Sequence, residues 1–93
     1  MNIKAFSQFF FQYPRILKYK LLSNCKKISG KPKIYQPTQF LGKGTISFGK
    51  NVILGYNPSP NFYTGYGYMD ARKNQSKINI GNDVWINNCF VLI

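Results

Sequence analysis

Residues 78–93 read INIGNDVWINNCFVLI, and residues 40–55 read FLGKGTISFGKNVILG. In the first stretch Ile78, Val84 and Phe90 share one phase of a six-residue beat; Ile80, Ile86 and Leu92 share a second phase, two residues later. In the other, Phe40, Ile46 and Val52 form the first phase, and Phe48 and Leu54 form the second. Glycine follows Phe48, Leu54 and Ile80, as Gly49, Gly55 and Gly81. An aliphatic–glycine pair returning every six residues is the pattern of a parallel β-helix. Each hexad supplies a short strand and a turn, and strand residues two apart point to the same side. That explains the inward pairs Ile78 with Ile80, Val84 with Ile86, and Phe90 with Leu92. Glycine after the inward residue permits a corner where a side chain would collide. Asn51, Asn82, Asn87 and Asn88 suit turns because asparagine tolerates left-handed backbone angles. An antiparallel meander is the competing reading, and two blocks on one beat weigh against it.

Between the blocks, residues 56–77 (YNPSPNFYTGYGYMDARKNQSK) break the beat. Pro58 and Pro60 resist ladder pairing, and Gly65 and Gly67 permit turns. Tyr63, Tyr66 and Tyr68 are costly to leave bare. The segment reads as a loop or hairpin extruded from one corner and packed against the coil. Before the beat, Ile3, Phe6, Phe9, Phe10 and Tyr13 recur at helical spacing. Pro14 ends or restarts that helix, and a second short helix is expected from Pro14 to about Asn24, with Leu17 and Leu21 on one face. The expected organisation is a basic amphipathic helical arm over 1–33, then a hexapeptide-repeat region over 34–93 with a loop insertion at 56–77. The fold class is mainly β, a short parallel β-helix of about two coils after a helical arm.

A chain of 93 residues allows one small domain. The net charge of +11 comes from 13 cations against Asp70 and Asp83, and eight of the cations lie in residues 1–33. Such an arm attracts anionic partners. It either caps the first coil or lies on an anionic membrane surface. With two cysteines and no histidine, the chain has no zinc-ligand spacing, and no metal is expected. No run approaches the roughly 18 apolar residues of a membrane span, and no cleavage site follows the N-terminus. The expected location is cytoplasmic, with peripheral contact at the inner face of the membrane as a further option. Only two arginines and no recognised motif argue against nucleic acid.

Three pieces in order carry a resemblance: Gly42-Lys43-Gly44-Thr45-Ile46, the Tyr-Gly-Tyr-Met-Asp-Ala-Arg run at 66–72, and Ile80-Gly81-Asn82-Asp83-Val84-Trp85-Ile86-Asn87-Asn88. Over roughly residues 28–93 the chain resembles hexapeptide-repeat acyltransferases, in particular O-acetyltransferases of bacterial capsule and lipopolysaccharide biosynthesis. The resemblance implies a left-handed parallel β-helix, a homotrimer, acetyl-CoA as co-substrate, and a glycan or lipid-linked sugar as acceptor. In that family a histidine removes the proton from the acceptor hydroxyl. This sequence contains no histidine, so no catalytic residue is assigned. Asn87 matches a family asparagine that orients the acceptor hydroxyl, and is the one substrate-binding candidate; a plain corner asparagine is the alternative. With about two coils where roughly three repeats bury a continuous core, the chain reads as the N-terminal portion of such an enzyme, inactive by itself. A non-catalytic membrane-surface or glycan-binding module is the alternative.

Overall fold

The computed structural model describes residues 3–57 and 59–93, with side chains inside the helix described from Phe10 onward. Helix α1 spans Ile3–Leu21. Nine short strands follow: β1 (Lys27–Ser29), β2 (Lys33–Ile34), β3 (Thr38–Leu41), β4 (Thr45–Phe48), β5 (Ile53–Leu54), β6 (Gly67–Asp70), β7 (Lys77–Ile80), β8 (Trp85–Ile86) and β9 (Val91–Leu92). Among the described residues they form three sheets, ordered β1-β4-β7, β2-β5-β8 and β3-β6-β9. Every pairing is parallel. The chain therefore visits the three sheets in rotation, three times over, an arrangement compatible with a parallel β-helix.

Strict register stacks like on like. Ile28, Ile46 and Ile78 form one column, Ile34, Leu54 and Ile86 another, and Phe40, Met69 and Leu92 a third. The middle circuit is the most buried: Ile46, Leu54 and Met69 have no exposed surface, and Val52 and Ala71 almost none. The inward residues of the last circuit (Ile78, Ile80, Val84, Ile86, Phe90 and Leu92) pack on this core but are only half-buried. Both phases of the six-residue beat thus point inward, as expected. Phe40 changes place: it stacks on Met69 and Leu92, so it belongs with the second phase. The Gly42–Gly44 corner after it is correspondingly longer.

The boundaries differ from the sequence reading in three ways. Pro14 lies inside one continuous helix instead of dividing two. Proline withholds one N–H from the helix ladder, and side-chain bonds on both sides of it hold the helix in place, as described below. The strands begin within the segment read as arm: β1 starts at Lys27, giving three circuits rather than about two. The insertion is shorter than 56–77, because Gly67–Asp70 is β6 and Met69 is fully buried in the core.

Turn chemistry also sorts differently. Among the described residues, the left-handed non-glycine positions are Asn51 (φ 57°), Asn61 (64°), Asp83 (58°) and Cys89 (60°). Of the four asparagines expected there, only Asn51 qualifies. Asn82 instead accepts the Lys50 N–H through Oδ1 at 2.7 Å, tying two stacked corners together. Gly55 (φ 97°) fits the close-corner argument, since a β-carbon there would lie 2.6 Å from the Gln36 Cβ and N.

Candidate functional site

Two corner asparagines follow β8, and they do different work. Asn87 is exposed, and its Oδ1 accepts the Asn88 N–H at 2.8 Å. Its amide hydrogens have no partner among the described residues, so what it can offer a ligand oxygen is a donor. Asn88 is the structural one of the pair. Its Oδ1 accepts the Tyr56 N–H at 2.8 Å, and its Nδ2 donates to Tyr56 O (2.9 Å), Ser59 O (3.2 Å) and Pro60 O (3.2 Å). It fastens the start of the insertion to the next circuit.

The outer face of the β2-β5-β8 sheet places Lys33, Ile53 and Trp85 side by side in register. Trp85 is 67% exposed, and its ring lies 6.0 Å from that of exposed Tyr56, at 32°. Asn51 and Asp83 border the same groove and are joined by an Nδ2···Oδ1 bond of 3.0 Å. Asn87 follows Trp85 by two residues, just beyond β8, and is likewise exposed. An exposed indole edged by amide, carboxylate and ammonium groups can stack a sugar ring and bond its hydroxyls.

The two carboxylate side chains are on different edges. Asp83 is held by Asn51, and the other carboxylate, Asp70, belongs to a different edge. There Asp70 Oδ2 accepts from Arg72 Nε at 2.9 Å and from the Tyr68 hydroxyl at 3.2 Å. The bond to Asp70, with the attraction of its negative charge, pushes the Arg72 guanidinium further above its ordinary value. Cys25 and Cys89 are free thiols, and no metal-competent cluster occurs among the described residues.

Sequence reasoning missed the polar groups that fasten the insertion. Gln36 is fully buried. Its Nε2 donates to Asn61 O at 2.8 Å, and its Oε1 accepts the Cys89 N–H at 2.7 Å. Gln12 on α1 donates to Tyr35 O (3.0 Å) and Phe62 O (2.8 Å), and accepts from Arg15 Nη1 at 2.6 Å. Arg15 Nη2 also donates to Gly65 O, and Tyr19 stacks on Tyr66 at 4.3 Å. The helix thus grips the insertion through Gln12, Arg15 and Tyr19. The opposite stripe of α1 leaves Phe10, Leu17 and Leu21 exposed, with Lys18 and Lys20 beside them. No described helix is long and apolar enough to cross a membrane.

A scan against protein-family models finds no match, and searches of curated proteins and of solved structures find none either.

Proposed function

We propose that this chain is a left-handed, hexapeptide-repeat β-helix of the O-acetyltransferase lineage. In this reading it serves acetyl transfer from acetyl-CoA to a glycan hydroxyl in surface-polysaccharide biosynthesis, as part of a homotrimer. The observation that carries the reading is the rotating order of the three parallel sheets, together with inward aliphatic pairs on a six-residue beat. Exposed Trp85 and Tyr56 offer the sugar a stacking surface, and exposed Asn87, two residues after Trp85, a hydrogen-bond donor.

The chemistry requires more than this chain holds. The acceptor oxygen attacks the thioester carbonyl as a base takes its proton, and the tetrahedral oxyanion collapses with loss of the CoA thiolate. The sequence has no histidine, and Asp70 and Asp83 are both engaged in hydrogen bonds. With the family's histidine lacking, the isolated chain is proposed to bind without turnover. The test is titration with acetyl-CoA and with a hexose oligosaccharide, followed by backbone amide shifts and thiol release. Shifts around Trp85 and Asn87 without thiol release are expected. Absence of shifts with both ligands at millimolar concentration overturns the lineage, and thiol release overturns the account of the base.

A second reading is favoured by the exposed Phe10–Leu17–Leu21 stripe flanked by lysines. It makes the chain a peripheral module at the cytoplasmic face of an anionic membrane. Co-sedimentation with vesicles that rises with phosphatidylglycerol content and falls with salt is expected; indifference to both defeats it.

A further inference from the structure

Of the five cations in residues 34–93, four (Lys43, Arg72, Lys73 and Lys77) line one edge of the molecule. Lys43 lies far from the others in sequence and is brought to them by the stacking of two corners, 42–44 and 71–76. Ala71 N–H donates to Leu41 O at 3.0 Å, and Gly44 N–H returns a bond to Ala71 O at 2.8 Å. The upper corner is closed on itself: Ser76 N–H donates to Lys73 O at 2.9 Å, and Lys73 N–H to Ser76 Oγ at 3.1 Å. The cations therefore project from a fixed frame, which lowers the ordering cost of binding.

Two open depressions, of about 520 and 440 Å³, meet at Asp70 and Arg72. Lys43 and Asn24 border the first, and Lys73, Ser76 and Lys77 border the second. Asp70 is the one side-chain carboxylate among these residues; it lies on the outer side of β6, nearly buried, with Oδ2 taken by Arg72 and Tyr68, and Ile93 also borders the second depression. It engages Arg72 through Nε alone, which leaves Nη1 and Nη2 of a guanidinium that is 62% exposed. A planar donor fork suits carboxylate and phosphate alike, and its place at a ridge between two basic hollows favours an anion with two linked charged groups.

We infer that this edge is a binding site for a diphosphate-class anion, with the Arg72 fork on one phosphate and lysines from the two stacked corners on the other. The site stands without acetyl transfer, and it is separate from the basic helix.

The test is calorimetric titration of the full chain with inorganic pyrophosphate at low salt. The double variant Lys43→Ala/Lys73→Ala leaves the Asp70–Arg72 pair intact and is expected to weaken binding about tenfold or more, a factor of ten in the dissociation constant. Arg72→Lys keeps the charge but loses the fork, and is expected to weaken it as well. Lys18→Ala/Lys20→Ala removes the same formal charge from the helix and is expected to leave binding unchanged. Equal weakening by the helix and corner double variants means diffuse attraction and overturns the site, as does absence of pyrophosphate binding. Vesicles doped with a prenyl diphosphate lipid then distinguish the source. Loss of vesicle binding in the corner variant identifies a lipid diphosphate, and loss of pyrophosphate binding alone identifies a soluble diphosphate.

Discussion

Replacing Gln36 by leucine tests whether one buried carboxamide fastens the insertion to the last circuit. The change keeps side-chain volume and removes both polar ends. Cys89 N–H then loses its 2.7 Å acceptor; leaving such a donor unsatisfied costs about 1–3 kcal/mol. Asn61 O loses the 2.8 Å bond from Gln36 Nε2 but keeps the N–H donors of Thr64 and Gly65. That loss is therefore an ordinary net bond of about 0.5–1.5 kcal/mol. Leucine regains part of the difference through apolar burial, which leaves an expected destabilisation of about 2–3 kcal/mol. In urea unfolding followed by far-UV circular dichroism, with a slope of about 1–3 kcal/mol per molar, the midpoint should fall by about 0.7–3 M. Gln36→Glu supplies the sign check. It keeps an acceptor for Cys89 but turns a carboxylate toward the Asn61 and Phe62 carbonyls at a fully buried position. Burial and carbonyl dipoles raise that carboxyl's pKa in the folded state. The folded protein then binds the proton more tightly than the unfolded chain, so stability falls as pH rises toward neutrality and recovers in acid. A Gln36→Leu midpoint within experimental scatter of the parent, or a Gln36→Glu curve parallel to that of Gln36→Leu at every pH, refutes the reasoning.

Two paired comparisons extend the test. Gly55→Ala must hold φ near 97° and bring its methyl to 2.6 Å from Gln36, so it should cost about 1–3 kcal/mol. Gly81→Ala meets nothing within 4 Å and should stabilise by about 0.4–1 kcal/mol; thermal unfolding that moves both midpoints the same way contradicts the corner geometry. Leu54→Ala, at a fully buried position in the middle circuit, should cost about 2–5 kcal/mol. Trp85→Ala should cost less than about 1 kcal/mol because the ring is largely solvent-facing; a loss in chemical denaturation that rivals Leu54→Ala would make the indole part of the core instead of a free surface.

The beat was more legible than the reading made of it. Ile28 and Ile34 precede Phe40 by twelve and six residues, so the spacing runs back through β1 and β2, although Ile34, like Phe40, stacks in the second phase. Lysines and prolines around them hid two strands whose only apolar residue faces in. The strand β6 was hidden for a different reason: it follows a Tyr- and Gly-rich loop, and Met69 carries no β-branched signal. Asn87 stood out as a corner residue, yet Asn88 beside it makes the anchoring bonds to Tyr56, Ser59 and Pro60. Two adjacent asparagines in one turn differ only in which way the backbone aims them.

By itself the sequence determined the repeating strands, the inward sense of their aliphatic pairs, the basic helical N-terminus and the lack of a histidine. Each of these is local or compositional: strand alternation and helical spacing are read within a few residues. The tertiary structure decided which turns lie over one another. It set Gln36 against Cys89, Gln12 against Phe62, and Lys43 beside Arg72, across gaps that no periodicity spans. Those meetings depend on the length of each corner and on the parallel register of three sheets, and both are fixed only when the whole core packs.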